Sequence, residues 1–189
     1  MRRRRHACAI TLTGAVILAA STLPSAQQRA RPGIDWPQFR GIDANGTAEG
    51  FPLPERWNAA AGQNIRWTAP VPGLSHSSPV VWGDVVCVTT AVAQGKEEAL
   101  KVGLYGDISP VDDATPLSWE VHCFDRQKGS RRWSAVAHKG VPKVKRHPKA
   151  THANATLATD GRRLVAMFGS EGLFAYDMKG TLLWRKDLG

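Results

Sequence analysis

The sequence predicts an all-β chain built from repeated four-stranded antiparallel sheets, and two observations carry that expectation. From residue 64 on, the apolar residues fall in short β-branched runs bounded by turn residues: NIRWTAPV, SSPVV, DVVCVTT, WEVHCFD, RRWSAVA, RRLVAMF, GLFAYD and TLLWRKD. None carries the 3.6-residue spacing of an amphipathic helix. The chain also repeats itself. One unit opens SHSSPVVWGD at Ser75 and closes VHCFDRQKGSRRW at Trp133; a second opens THANATLATD at Thr151 and closes LFAYDMKGTLLW at Trp184. His76 matches His152, Asp84 matches Asp160, Asp125 matches Asp177, Gly129 matches Gly180 and Trp133 matches Trp184. Trp67 reads as the terminal tryptophan of a preceding unit.

Each unit is expected to fold as a meander. The first strand covers residues 77–82 or 154–158 and the second 85–90 or 164–168; the third ends at Asp125 or Asp177, and the fourth at Trp133 or Trp184. Asp84 and Asp160-Gly161 supply one turn, Lys128-Gly129 and Lys179-Gly180 another. Between the second and third strands the later unit has a short hairpin at 169–172. The earlier unit carries an insertion at 94–117, holding the one expected helical turn near 96–100. A sheet apolar on both faces must stack against copies of itself around an axis, so the expected architecture is a β-propeller, with two full blades and one strand present. Propellers need about four to eight blades, so the chain is expected to be the N-terminal part of a longer protein.

The first 26 residues read as an export signal: four arginines at positions 2–5, an uncharged stretch at 7–20, and a small-residue zone ending at Ala26. A stretch of about fourteen apolar residues is too short to span a bilayer, and no second one follows, so no transmembrane segment is expected in the mature chain. The expected location is periplasmic or extracellular. The whole chain has a net charge of +9; residues 1–26 hold four of the 25 Lys and Arg and none of the 16 Asp and Glu, which leaves +5. The remaining basic run, from His138 to Lys149, is broken by prolines and has no aromatic residue to stack a base, so it reads as a solvated loop and no nucleic-acid partner is expected. Residues 27–64 form a Trp-, Pro- and Gly-rich lead-in, and 65–189 the partial propeller. Cys8 leaves with the signal. Cys87 and Cys123 stay open between a disulfide and two buried thiols, because the choice depends on strand register.

The phrase A-x-D-x-x-x-G-x-x-x-W, carried by Cys123, Asp125, Gly129 and Trp133 and, one residue shorter, by Ala175, Asp177, Gly180 and Trp184, resembles the repeat of pyrroloquinoline-quinone (PQQ) type propellers. The opening DWPQFRG at 35–41, together with PGLSHSSP at 72–79, is similar to the start of secreted bacterial proteins of that family, some described as resembling the outer-membrane assembly lipoprotein BamB. The resemblance implies that Trp67, Trp133 and Trp184 dock one blade onto the next and that Gly129 and Gly180 turn the outer hairpin. It also implies an extracytoplasmic scaffold with a protein partner.

Family enzymes bind PQQ with calcium over the axis and use a carboxylate base, beside a pair of adjacent cysteines. This chain shows no such pair and no acid matched to that base, so it is expected to be non-catalytic, with a PQQ-dependent dehydrogenase as the alternative. A third reading places a small ligand or metal on His76 and His152, at the mouth of the channel, or on the loop pair His147 and His152. Two histidines fall short of the four ligands zinc takes. Asp43, Asn45 and Gly46 read as a turn, since the glycine comes two places early for a calcium loop and no glutamate closes it.

Overall fold

The computed structural model describes residues 28–96, 99–100, 109–112 and 114–189. The expected signal with Cys8, and residues 97–98 of the expected helical turn, lie outside them. The described chain is all-β, in two four-stranded antiparallel sheets. The first is β1 (Val80–Trp82), β2 (Val85–Ala93), β3 (Leu117–Asp125) and β4 (Arg131–Gly140); the second is β5 (Ala158–Thr159), β6 (Arg163–Met167), β7 (Leu173–Asp177) and β8 (Leu182–Lys186). In both sheets the spatial order follows the chain, with short turns between sequential strands everywhere except between β2 and β3, where residues 94–116 intervene. No helix among the described residues is long and apolar enough to cross a membrane.

Three strand expectations need correction. The first strands are shorter than expected, because Pro79 has no N–H to give a ladder and the segments before β1 and β5 bond to each other instead. His76 N donates to Ala153 O at 3.0 Å and Ser78 N to Thr156 Oγ1 at 3.1 Å, and Thr89 Oγ1 of β2 adds a bond to Ala155 O at 3.3 Å. The fourth strands do not end at tryptophan. β4 runs on past Trp133 to Gly140 because β3 continues opposite it to Leu117, and Trp184 sits in the middle of β8. The run NIRWTAPV belongs to no sheet. The excursion between β2 and β3 is closed at its base by Gln94 N donating to Pro116 O at 3.0 Å, and Leu117 belongs to β3.

Side chains alternate between the faces of a strand, so the register decides what is buried. Val80, Cys87, Ala91, Leu117, Trp119, Val121 and Cys123 form one face of the first sheet; Leu164, Ala166, Phe168, Phe174 and Tyr176 form the facing side of the second. Together with Ala153 and Leu157 they make one buried cluster between the sheets. Cys87 stands directly opposite Cys123, their Cα atoms 4.2 Å apart, and the two are joined as a disulfide inside that cluster. The register that the sequence left open settles the choice.

The bond closes a loop of 36 residues, which by chain entropy stabilises the fold by about 2–4 kcal/mol. Chemical unfolding of the Cys87→Ala/Cys123→Ala variant should show a loss of that size. Mass spectrometry of the denatured, unreduced chain should find neither thiol open to alkylation.

Candidate functional site

The feature that recurs is a tryptophan laid over a glycine turn of the following sheet. Gly129 has φ +70°, and a Cβ placed on it would lie 2.6 Å from the Trp67 indole. Gly180 has φ +92°, and a Cβ there would lie 2.7 Å from the Trp133 indole. Only glycine meets both demands, the left-handed backbone and the missing side chain. Each indole N–H is satisfied by the same turn: Trp67 Nε1 donates to Arg126 O at 2.8 Å and Trp133 Nε1 to Met178 O at 3.1 Å. The rings of Trp133 and Tyr176 stand 6.1 Å apart, and burial raises the Tyr176 phenol to about 12.

The matched aspartates build these turns. Asp125 Oδ1 accepts from the amides of Gln127 and Lys128, both at 2.9 Å, while Arg132 holds Oδ2 at 2.7 Å. Asp177 Oδ1 accepts from Lys179 N at 2.9 Å and Thr181 N at 2.8 Å. These bonds favour the charged form and keep both carboxyls below the usual range: the Arg132 guanidinium is the first cause at Asp125, the Thr181 amide at Asp177. A third tryptophan–glycine contact, which the repeat comparison missed, joins the β1 edge of the first sheet to the β5–β6 turn of the second, where Gly161 (φ +82°) packs on the indole of buried Trp82. Trp184, the third member of the series, is 45% exposed, and all of β8 is exposed with it.

The segments of His76 and His152 lie side by side, joined through His76 N and Ala153 O. His76 is exposed. His152 is half-buried, with its carbonyl accepting from Trp119 Nε1 at 3.1 Å and its ring edge-on to that indole at 6.1 Å. His147 is exposed, and its Nδ1 accepts from Lys149 N at 3.1 Å. Among the described residues no three His, Cys, Asp or Glu side chains are grouped as metal ligands.

A cleft of about 360 Å³ beside these histidines is lined in part by Lys145, Arg146, His147, His152 and Asn154. Several cations of the basic run are engaged within the chain: Lys143 with Asp187 at 3.0 Å, Lys145 with Asp112 at 2.8 Å, and buried Arg146 with Ala150 O at 3.1 Å.

Two polar arrangements escaped the sequence reading. The lead-in docks through Asp35, which is fully buried; its carboxylate takes a bidentate ion pair from Arg31 at 2.8 and 3.0 Å, the Arg31 amide at 2.8 Å and the Gly83 amide at 2.8 Å. Burial by itself would raise this carboxyl, but Arg31 and the two amides outweigh it and hold it low. Trp36 then pairs with the free edge of β1 through both hydrogen bonds to Val81, at 2.7 and 2.8 Å, and Pro37 O accepts from Thr159 N of β5 at 2.9 Å.

The other is a ladder on the face of β3 turned away from the second sheet. Ser118 Oγ donates to Glu120 Oε1 at 2.7 Å, and Glu120 Oε2 meets His122 Nε2 at 2.9 Å. His122 is 2% exposed. Alternation alone gives no sign that this face is covered.

The sequence matches no protein-family model and no curated protein, so the functional argument rests on these residues and their geometry.

Burial lowers the pKa of His122, and the Glu120 hydrogen bond offsets only part of that. The unfolded chain therefore takes up this proton first as pH falls. The stability contributed by neutral His122 is complete above about 6.5, the free imidazole value, and is lost as pH drops through the lowered folded value. Urea midpoints should be lower at pH 5.5 than at pH 7.5, with a smaller difference in His122→Gln. Equal midpoints at the two pH values would contradict this.

Proposed function

We propose that this chain is part of an exported β-propeller of the PQQ repeat type, working outside the cytoplasm as a non-catalytic scaffold that binds a protein partner. The observation that carries the reading is the repeated junction: the same indole-over-glycine contact, with the same N–H···O=C bond, at Trp67 and Gly129 and again at Trp133 and Gly180. A contact repeated with one geometry generates a regular array, and sheets stacked in that way turn about an axis. The segments running into β1 and β5, which bond to each other, are then the ones nearest the axis. The buried Cys87–Cys123 disulfide supports an oxidising compartment, periplasmic or extracellular.

Among the described residues, the segments at the axis do not by themselves fit a bound quinone. A planar tricarboxylate needs cationic partners and a flat stacking surface, with a carboxylate base beside it. The segments at the axis offer Ser75, His76, Ser77, Thr151, His152 and Asn154, several already bonded among themselves: Asn154 Oδ1 accepts from Thr151 N and Oγ1 at 2.9 Å each, and Ser77 N donates to Ser75 Oγ at 3.0 Å. His76 and His152 serve there as parts of the loop network that registers the two sheets.

Calorimetric titration of PQQ into the protein, with and without calcium, alongside dye-linked alcohol oxidation, tests the reading. No saturable heat and no turnover are expected. Saturable binding with turnover would replace the scaffold by an oxidoreductase.

A further inference from the structure

We infer that Asn45 is an acceptor for an N-linked oligosaccharide, added outside the cytoplasm from a lipid-pyrophosphate donor by a transferase that reads an acid two residues before the asparagine. Residues 43–47 spell Asp-Ala-Asn-Gly-Thr. Asn-x-Thr without an intervening proline is the minimal acceptor, because the transferase holds the threonine hydroxyl while it works on the carboxamide. A carboxylate two places before the asparagine is the further mark of a bacterial acceptor, since it offers the enzyme a charge to pair with. The chain holds one other Asn-x-Thr, at Asn154-Ala155-Thr156, and there the place of the acid is taken by His152.

The fold separates the two sites. Asp43, Asn45 and Thr47 are all exposed, and all three open on one hollow of about 80 Å³. The backbone is left-handed at the residues between them, Ala44 (φ +53°) and Gly46 (φ +81°). Thr47 N donates to Asn45 Oδ1 at 2.8 Å, a side-chain turn that brings the carboxamide and the threonine together. Asn45 Nδ2, the atom that takes the sugar, and Thr47 Oγ1 enter no hydrogen bond among the described residues. The loop is held from behind: Gly46 N donates to Arg40 O at 2.9 Å, and Arg40 Nη2 to Asn45 O at 3.0 Å. A transferase that meets the folded chain therefore finds the whole acceptor on its surface.

At the other site the same groups belong to the framework. Asn154 Oδ1 accepts from Thr151 N and Oγ1 at 2.9 Å each, and half-buried Thr156 takes Ser78 N on its hydroxyl at 3.1 Å. Engaging them means opening the segments that register the two sheets.

Transfer joins Asn45 Nδ2 to the anomeric carbon of the oligosaccharide as the bond from that carbon to the lipid pyrophosphate breaks. The pyrophosphate leaves with the electron pair, and the carboxamide gives up one proton. No oxidant or reductant is needed.

The inference rests on the exported reading, and the experiment separates the two. The full chain, with its own first 26 residues, is produced in a bacterial host carrying an acid-requiring oligosaccharyltransferase and its lipid-linked oligosaccharide, and in the same host without the transferase. The intact mass of the exported chain should show one glycan, mapped to the peptide holding Asn45 and absent without the transferase. Asn45→Gln, Asp43→Ala and Thr47→Ala should each abolish it, while Thr47→Ser and Asn154→Gln should keep it. Closure of the Cys87–Cys123 disulfide, read on the same samples, reports that each variant is exported and folded. An exported, disulfide-closed chain without glycan would overturn the inference, as would a glycan on Asn154 or full modification of Asp43→Ala. Retention of the chain inside the cell would count against the exported reading alone, and the same masses, measured with an established leader fused ahead of the full chain, then decide the acceptor.

Discussion

The indole laid over a left-handed glycine is the contact on which the arrangement of the sheets depends. A four-stranded sheet with apolar side chains on both faces is unstable in water until something covers those faces. What covers the inner face of the first sheet is the second sheet, and the angle at which they meet is constrained by where the tryptophan of one can reach the turn of the next. The contact is specific because it is steric and polar together: the glycine leaves room for the ring, and a turn carbonyl takes the indole N–H, which would otherwise be buried unpaired. The aspartate at the start of each turn holds its amides in place and so presents the glycine. One local motif thus does the work of a long-range one, and repeating the motif repeats the geometry.

Around this junction the remaining parts act as registration. The disulfide pins β2 to β3 in the cluster between the sheets. The serine, threonine and histidine segments ahead of β1 and β5 bond across to one another, fixing how the sheets sit at that end. At the other end the lead-in closes the free edge of β1 through Trp36 and touches β5 through Pro37, anchored by buried Asp35. These polar groups are consumed in holding the framework, which is why the reading favours a binding surface over a reaction centre.

How much of this was legible in the sequence follows from how local each determinant is. The turns and the strands beside them were readable, because Asp125, Gly129 and Trp133 act within a dozen residues and recur at Asp177, Gly180 and Trp184. The extension of β4 to Gly140 was not, since it depends on β3 reaching back to Leu117 after a long excursion. The pairing of Cys87 with Cys123 needed a register that no composition supplies. Asp35 stands in the Trp-, Pro- and Gly-rich lead-in with no local sign of burial; that arises only when Gly83 comes to meet it from 48 residues away. The Glu120 and His122 pair was hidden by an alternation that reads the same whether the outer face is wet or covered. The repeat comparison matched His76 with His152, but their partners, the main chain at Ala153 and the indole of Trp119, come from other strands and loops.

The most direct test of the central claim is a double-mutant cycle on one junction, with Trp133→Ala and Gly180→Ala measured singly and together by chemical unfolding. Each single change should cost about 2–4 kcal/mol, the first by removing a packed ring, the second by forcing a Cβ into it on a left-handed backbone. The two costs should fail to add by about 1 kcal/mol or more, because once the indole is gone the new methyl has room. Gly62→Ala, with a similar φ of +69° and nothing within 4 Å, should cost only about 1 kcal/mol. Strictly additive losses at Trp133 and Gly180, or a Gly180→Ala cost no larger than that of Gly62→Ala, would contradict the account.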